Sequence, residues 1–101
     1  MTEHEAEAIC DQLEALIGHG PGADSESVRQ ATMLCRRLRE ASGATTYLRE
    51  KAQNFLGTFE AWRSERKWRR MSEDPDQARV WVMTDLRKLR MALDGFRTET
   101  E

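Results

Sequence analysis

The chain has 101 residues and a formal net charge of −2, with 39% hydrophobic and 34% charged residues. This balance is typical of a folded globular protein, and the length predicts a single domain, residues 1–101, with one modest core. The composition excludes a disulfide scaffold, because there are two cysteines, and no run approaches the ~18 apolar residues of a membrane span.

The small net charge hides an uneven distribution along the chain. Residues 1–27 contain seven acidic and no basic residues, giving −7, whereas the remainder holds 16 basic residues against 11 acids, giving +5. We expect one acidic and one basic region in the folded molecule. The acidic N-terminus lacks the basic-then-apolar pattern of a secretion signal, so we expect a cytoplasmic protein.

The pattern of apolar residues predicts an all-α fold, because apolar residues recur every three or four positions and β-branched runs are absent. Gly- and Pro-containing breaks separate four predicted helices in a small antiparallel bundle. Their expected bounds are about 3–17, 25–41, 44–71 and 75–96.

The first two predicted helices have clear start signals and apolar stripes. Thr2 with Glu5 has the spacing of an N-terminal capping box, and Asp24 or Ser25 can cap the second helix. The first stripe consists of Ala6, Ile9, Leu13 and Leu16, and the second of Val28, Ala31, Cys35 and Leu38. The short Ser42-Gly43 link predicts that the second and third helices are antiparallel neighbours.

The long third helix, 44–71, changes character along its length. Its apolar stripe is formed by Leu48, Ala52, Phe55, Phe59 and Trp62. The same spacing next reaches Arg66 and Arg69, so the core-facing side becomes basic. Thr45 can cap this helix, and Gly57, opposite the stripe, indicates a bend or a close second contact.

The fourth helix is apolar on more than one side. Its stripe consists of Val82, Leu86, Leu89, Leu93 and Phe96, and four further bulky residues lie off that stripe: Val80, Trp81, Met83 and Met91. A helix of this kind is either central in the bundle or covered by another chain. We therefore expect these four residues to form an oligomer face, with a homodimer as the simplest assembly.

The segment 63–70 is the main candidate for partner binding. It contains Trp68 and five cations, which are Arg63, Arg66, Lys67, Arg69 and Arg70. Arginine and tryptophan are enriched at binding hot spots, because they combine large contact area with directional hydrogen-bond donors. We therefore expect a non-catalytic protein–protein interaction module, such as an adaptor, a small inhibitor or a regulatory subunit, whose partner has an acidic surface.

Two alternatives use the same residues differently. The basic segment can contact nucleic acid, with cations on phosphates and Trp68 stacking on a base, although the acidic N-terminal quarter opposes this. The segment can also be a solvated helix end. A helix-turn-helix around Gly43 is disfavoured, because Arg39 occupies the position where that motif needs a small buried residue.

Chemically reactive residues are few and show no catalytic or metal-binding spacing. His4 and His19 share no ligand pattern with each other or with a cysteine, so we expect no metal, no cofactor and no enzymatic activity. Cys10 and Cys35 lie on the apolar sides of their helices. We expect two buried free thiols, with a bridge between them as the alternative if the first two helices pack side by side.

Overall fold

The computed structural model describes residues 1–17, 25–63 and 75–93, and these residues confirm the predicted all-α helical bundle. Helix α1 spans Glu3–Ile17, α2 spans Ser25–Glu40, α3 spans Thr46–Arg63 and α4 spans Pro75–Met91. None of these four helices is long and apolar enough to cross a membrane.

The helices pack in a closed ring around one core. Helix α1 packs against α2, α2 against α3, α3 against α4, and α4 returns to α1. The buried apolar residues of all four helices form one cluster that contains most of the predicted stripe residues, whereas Leu16 and Val28 are only partly buried at its edge. Three aromatic rings of α3 are fully buried within it: Phe55 lies 5.7 Å from Phe59, and Phe59 lies 6.2 Å from Trp62, between ring centroids.

Two threonines fix the first turns of α1 and α3. The Thr2 hydroxyl oxygen accepts a hydrogen bond from the backbone N–H of Glu5 at 3.2 Å, and the Thr45 hydroxyl oxygen accepts one from Leu48 at 3.1 Å. Each threonine thus satisfies an N–H that has no partner within the helix. Because Thr45 is the cap, α3 begins at Thr46 and not at 44 as predicted.

Helices α2 and α4 end earlier than the sequence predicts. α2 ends at Glu40 instead of 41, and Gly43 adopts a φ of 90° in the turn that follows. α4 ends at Met91, after which Leu93 donates a backbone hydrogen bond to Arg90, three residues back. A hydrogen bond over three residues is of the 3₁₀ type, which is tighter than the α-helical one and closes the last turn of α4. The predicted ends of the third and fourth helices, 64–71 and 94–96, lie outside the described residues.

Candidate functional site

The predicted basic site falls largely outside the part of the chain that the structure describes. Arg63 is the last residue of α3, and Arg66, Lys67, Trp68, Arg69 and Arg70 lie beyond it in the range 64–74. Partner binding by these residues therefore stays a prediction. The described residues show where the other candidate residues lie and reveal a groove that the sequence did not predict.

This groove lies between α3 and α4. It has a volume of about 360 Å³ and is lined by Gly57, Thr58 and Ala61 of α3 and by Trp81 and Asp85 of α4. We call these five residues the α3–α4 groove. Residues four apart lie on the same side of a helix, so Gly57 and Ala61 form one wall, and Trp81 and Asp85 form the other.

Thr58 and Asp85 join the two walls of the α3–α4 groove. The Thr58 hydroxyl is within hydrogen-bonding distance of an Asp85 carboxylate oxygen and of the Asn54 backbone carbonyl. The hydroxyl has one hydrogen and donates it to one acceptor at a time, and an ionised Asp85 can only accept. Among the described residues, Asp85 is therefore held at the groove by a neutral donor, the Thr58 hydroxyl.

The structure separates the four residues of the predicted oligomer face. Trp81 is 51% exposed and lines the α3–α4 groove. Met83 packs partly buried against the chain's own core and lines a second pocket, beside Glu14 of α1. Val80 and Met91 are 51% and 66% exposed. They are eleven residues apart, about three helical turns, and share the outward side of α4.

Part of the negative charge of α1 is neutralised within the molecule. A terminal nitrogen of Arg90 lies 2.9 Å from the Asp11 carboxylate and 3.7 Å from that of Glu14. These contacts join α1 to α4 at the bundle surface. The acidic N-terminal region predicted from the sequence is thus partly paired with a basic residue of its own chain.

The two cysteines are buried free thiols, as the sequence predicts. Burial in the core raises the pKa of Cys10 from 9.0 to about 11 and that of Cys35 from 9.0 to about 12. The thiolate is the reactive form of cysteine, so both side chains are chemically inert near neutral pH. They contribute to packing between α1 and α2.

The described residues contain no group of three or more His, Cys, Asp or Glu side chains that could hold a metal ion. Within the same residues, no polar or charged residue is buried as a whole, although the atoms Arg39 Nε and Trp62 Nε1 are buried without a hydrogen-bond partner.

No family model matches this chain, and neither a curated protein nor a solved structure matches it.

Sequence analysis singled out two of the five residues of the α3–α4 groove, Gly57 and Trp81, and did not combine them. Trp81 lies off the apolar stripe of α4, and Gly57 lies opposite the stripe of α3. The Trp81–Asp85 and Gly57–Ala61 pairs each have a spacing of four, and this was the available signal. Their meeting depends on how α3 and α4 are rotated against each other, which periodicity within one helix does not define.

Proposed function

We propose that this protein is a non-catalytic protein–protein interaction module, of the adaptor, small-inhibitor or regulatory-subunit type. The observation that carries the proposal is the half-exposed Trp81 at the α3–α4 groove. Tryptophan is among the residues most enriched in binding hot spots, and an indole left half in water gains contact area when a partner covers it.

The proposal assigns partner binding to the basic segment 63–70. Its support is the local charge, because Arg63, Arg66, Lys67, Arg69 and Arg70 accompany one acid in eight residues. Arginine binds carboxylates through two parallel hydrogen bonds, so an acidic protein surface is the matching partner. The buried free thiols suit a reducing compartment such as the cytoplasm, which is part of the same proposal.

The experiment compares the wild type with a charge-reversal variant, Arg66→Glu/Arg69→Glu/Arg70→Glu. The control, Arg36→Glu/Arg37→Glu/Arg87→Glu, changes the net charge equally at exposed arginines outside the segment. Partners that co-purify at low ionic strength are identified, and their affinities are then measured with purified proteins. We expect the segment variant to lose at least about tenfold in affinity, equivalent to about 1.4 kcal/mol, and the control to retain the partner.

Two results would contradict this proposal. Equal retention of the partner by the two variants would remove the basic segment from the interface. Binding that is lost on nuclease treatment and falls steeply with added salt would instead favour the nucleic-acid alternative, because phosphate binding releases counterions.

The proposal also includes a homodimer through the outward side of α4. Its support is the exposure of Val80 and Met91. Light scattering over a wide concentration range tests it, with Val80→Ser/Met91→Ser as the disrupting variant and Met33→Ser, an exposed methionine of α2, as the control. A wild type that remains monomeric at every concentration overturns the dimer without affecting the assignment of the basic segment.

A further inference from the structure

Gly57 is present in α3 although the described structure does not require a glycine there. It lies within the helix and has no positive φ; Gly43 is the glycine with a positive φ in the described residues. A Cβ atom built at Gly57 meets nothing within 4 Å. Neither backbone conformation nor packing within the described chain therefore excludes alanine, which is the better helix former.

The absent side chain leaves the α3–α4 groove open at one wall. Gly57 and Ala61 form the α3 wall, and both are small. The volume of about 360 Å³ lies at the lower end of the range for ligand pockets, about 300–1,000 Å³. A space of this size suits one or two long side chains of a partner rather than a large cofactor.

The opposite wall combines a carboxylate with an aromatic ring. Asp85 is hydrogen-bonded to the Thr58 hydroxyl, and no cation of the described residues lies within 4.0 Å of it. The wall thus carries a negative charge that a neutral hydroxyl does not balance. A carboxylate in this position repels an acidic ligand and loses hydration without compensation under a purely apolar one.

A second half-exposed aromatic residue, Tyr47, has a cation over its ring and can be compared with Trp81. Tyr47, near the start of α3, is also about half exposed, and the ammonium nitrogen of Lys51 lies 5.1 Å from its ring centroid. Trp81 has no such cation among the described residues. Indole is the aromatic ring that attracts a cation most strongly.

We propose that the α3–α4 groove binds a cationic side chain, arginine or lysine, presented by a partner protein. The aliphatic part of that side chain lies along Gly57 and Ala61, and its charged group packs on the Trp81 ring and pairs with Asp85. Charge complementarity selects this occupant. This inference rests on the proposed function, which also draws on Trp81. Its probe and variants are separate from those that test the basic segment 63–70, so the two can fail independently.

Nuclear magnetic resonance of the ¹⁵N-labelled full chain tests the proposal directly. The probe is N-acetyl-arginine methylamide, and the matched neutral probes are the citrulline and norleucine analogues. We expect the Trp81 indole N–H and the Gly57 amide signals to move progressively with the arginine probe. The citrulline and norleucine probes should require at least tenfold higher concentrations for the same change.

Three variants and one control locate the binding site. We expect Asp85→Asn and Trp81→Leu each to weaken binding of the arginine probe at least fivefold. Gly57→Leu adds a side chain at the groove wall, where a Cβ atom meets nothing within 4 Å and leucine is a better helix former than glycine, so it should fold and abolish the response. Glu60→Gln removes an exposed carboxylate two residues from Thr58, on another side of α3, and should bind like the wild type.

Any of three results would overturn the inference. The first is a citrulline or norleucine response equal to that of arginine, which would show that charge does not select the ligand. The second is an unchanged response in folded Gly57→Leu. The third is an equal loss of affinity for the arginine probe in Glu60→Gln and Asp85→Asn, which would indicate nonspecific attraction to surface carboxylates.

Discussion

The two tryptophans of the α3–α4 pair have opposite environments. Trp62 of α3 is fully buried beside Phe59, whereas Trp81 of α4 is 51% exposed at the α3–α4 groove. Both belong to helices that pack against each other, so their difference arises from the side of the helix on which each lies. The comparison separates a residue that belongs to the core of the bundle from one that stays half exposed at its surface.

Truncation of the two tryptophans should give the largest contrast. We expect Trp62→Ala to lower the free energy of unfolding by about 3–5 kcal/mol, because it removes a large buried side chain and leaves a cavity. Trp81→Ala should lower it by only about 1–2 kcal/mol, since half of the Trp81 surface is already in water. Urea denaturation followed by circular dichroism measures both. Similar losses for the two variants would contradict the division between core and groove.

The free energy of unfolding at alkaline pH tests the burial of the two core thiols. Cys10 and Cys35 have folded-state pKa values of about 11 and about 12, above the ordinary 9.0. Their stabilisation is complete below pH 9 and is lost as pH rises towards these values, because the unfolded chain ionises first. At pH 10 each thiol should lower the free energy of unfolding by about 1 kcal/mol.

The control for this pH effect is the double variant Cys10→Ala/Cys35→Ala, which retains the lysines and the tyrosine that titrate in the same range. Its free energy of unfolding should fall less steeply between pH 8 and pH 10 than that of the wild type. Parallel pH profiles would show that the thiols are not buried as described.

The two described glycines with contrasting environments should respond to alanine with opposite signs. Gly43→Ala should destabilise the protein by about 1–2 kcal/mol, because its φ of 90° is unfavourable for a residue with a Cβ. Gly57→Ala should stabilise it by about 1 kcal/mol, since alanine favours the helix and meets no neighbour. Thermal and urea unfolding of both variants provide the measurement. Destabilisation by Gly57→Ala would show that the groove wall is closely packed and would contradict the proposed binding of a side chain there.

The smallest effect concerns the start of α3, the helix that carries the groove wall. Thr45→Ala should cost about 1 kcal/mol, because the Leu48 N–H loses its capping oxygen. Thr46→Ala, one residue further on, changes a threonine that is exposed within the first turn and should have little effect on unfolding. If the two variants are equally stable, Thr45 is not the cap.

Sequence periodicity predicted most of the core correctly. Leu48, Ala52, Phe55, Phe59 and Trp62 form the predicted stripe of α3, and all are fully buried. The capping threonines were also predicted, because a cap depends on residues two or three positions away. These features are local, so spacing along one helix is enough to define them.

Contacts between helices were less accessible to sequence reasoning. The four off-stripe residues of α4 were predicted to form one face, yet Met83 lies partly buried beside α1, Trp81 lies against α3, and Val80 and Met91 point outward. The pairing of Arg90 with Asp11 joins residues 79 positions apart. Neither arrangement follows from the charge or hydrophobicity of a single helix.

The sequence by itself determined the helical class of this protein, the residues that each helix turns towards the core, and the caps that start α1 and α3. Those properties follow from the 3.6-residue period and from hydrogen bonds within one turn. The tertiary structure alone decided that Gly57 and Ala61 lie opposite Trp81 and Asp85. Side-chain packing between neighbouring helices fixes their mutual rotation, and that rotation determines which exposed residues meet.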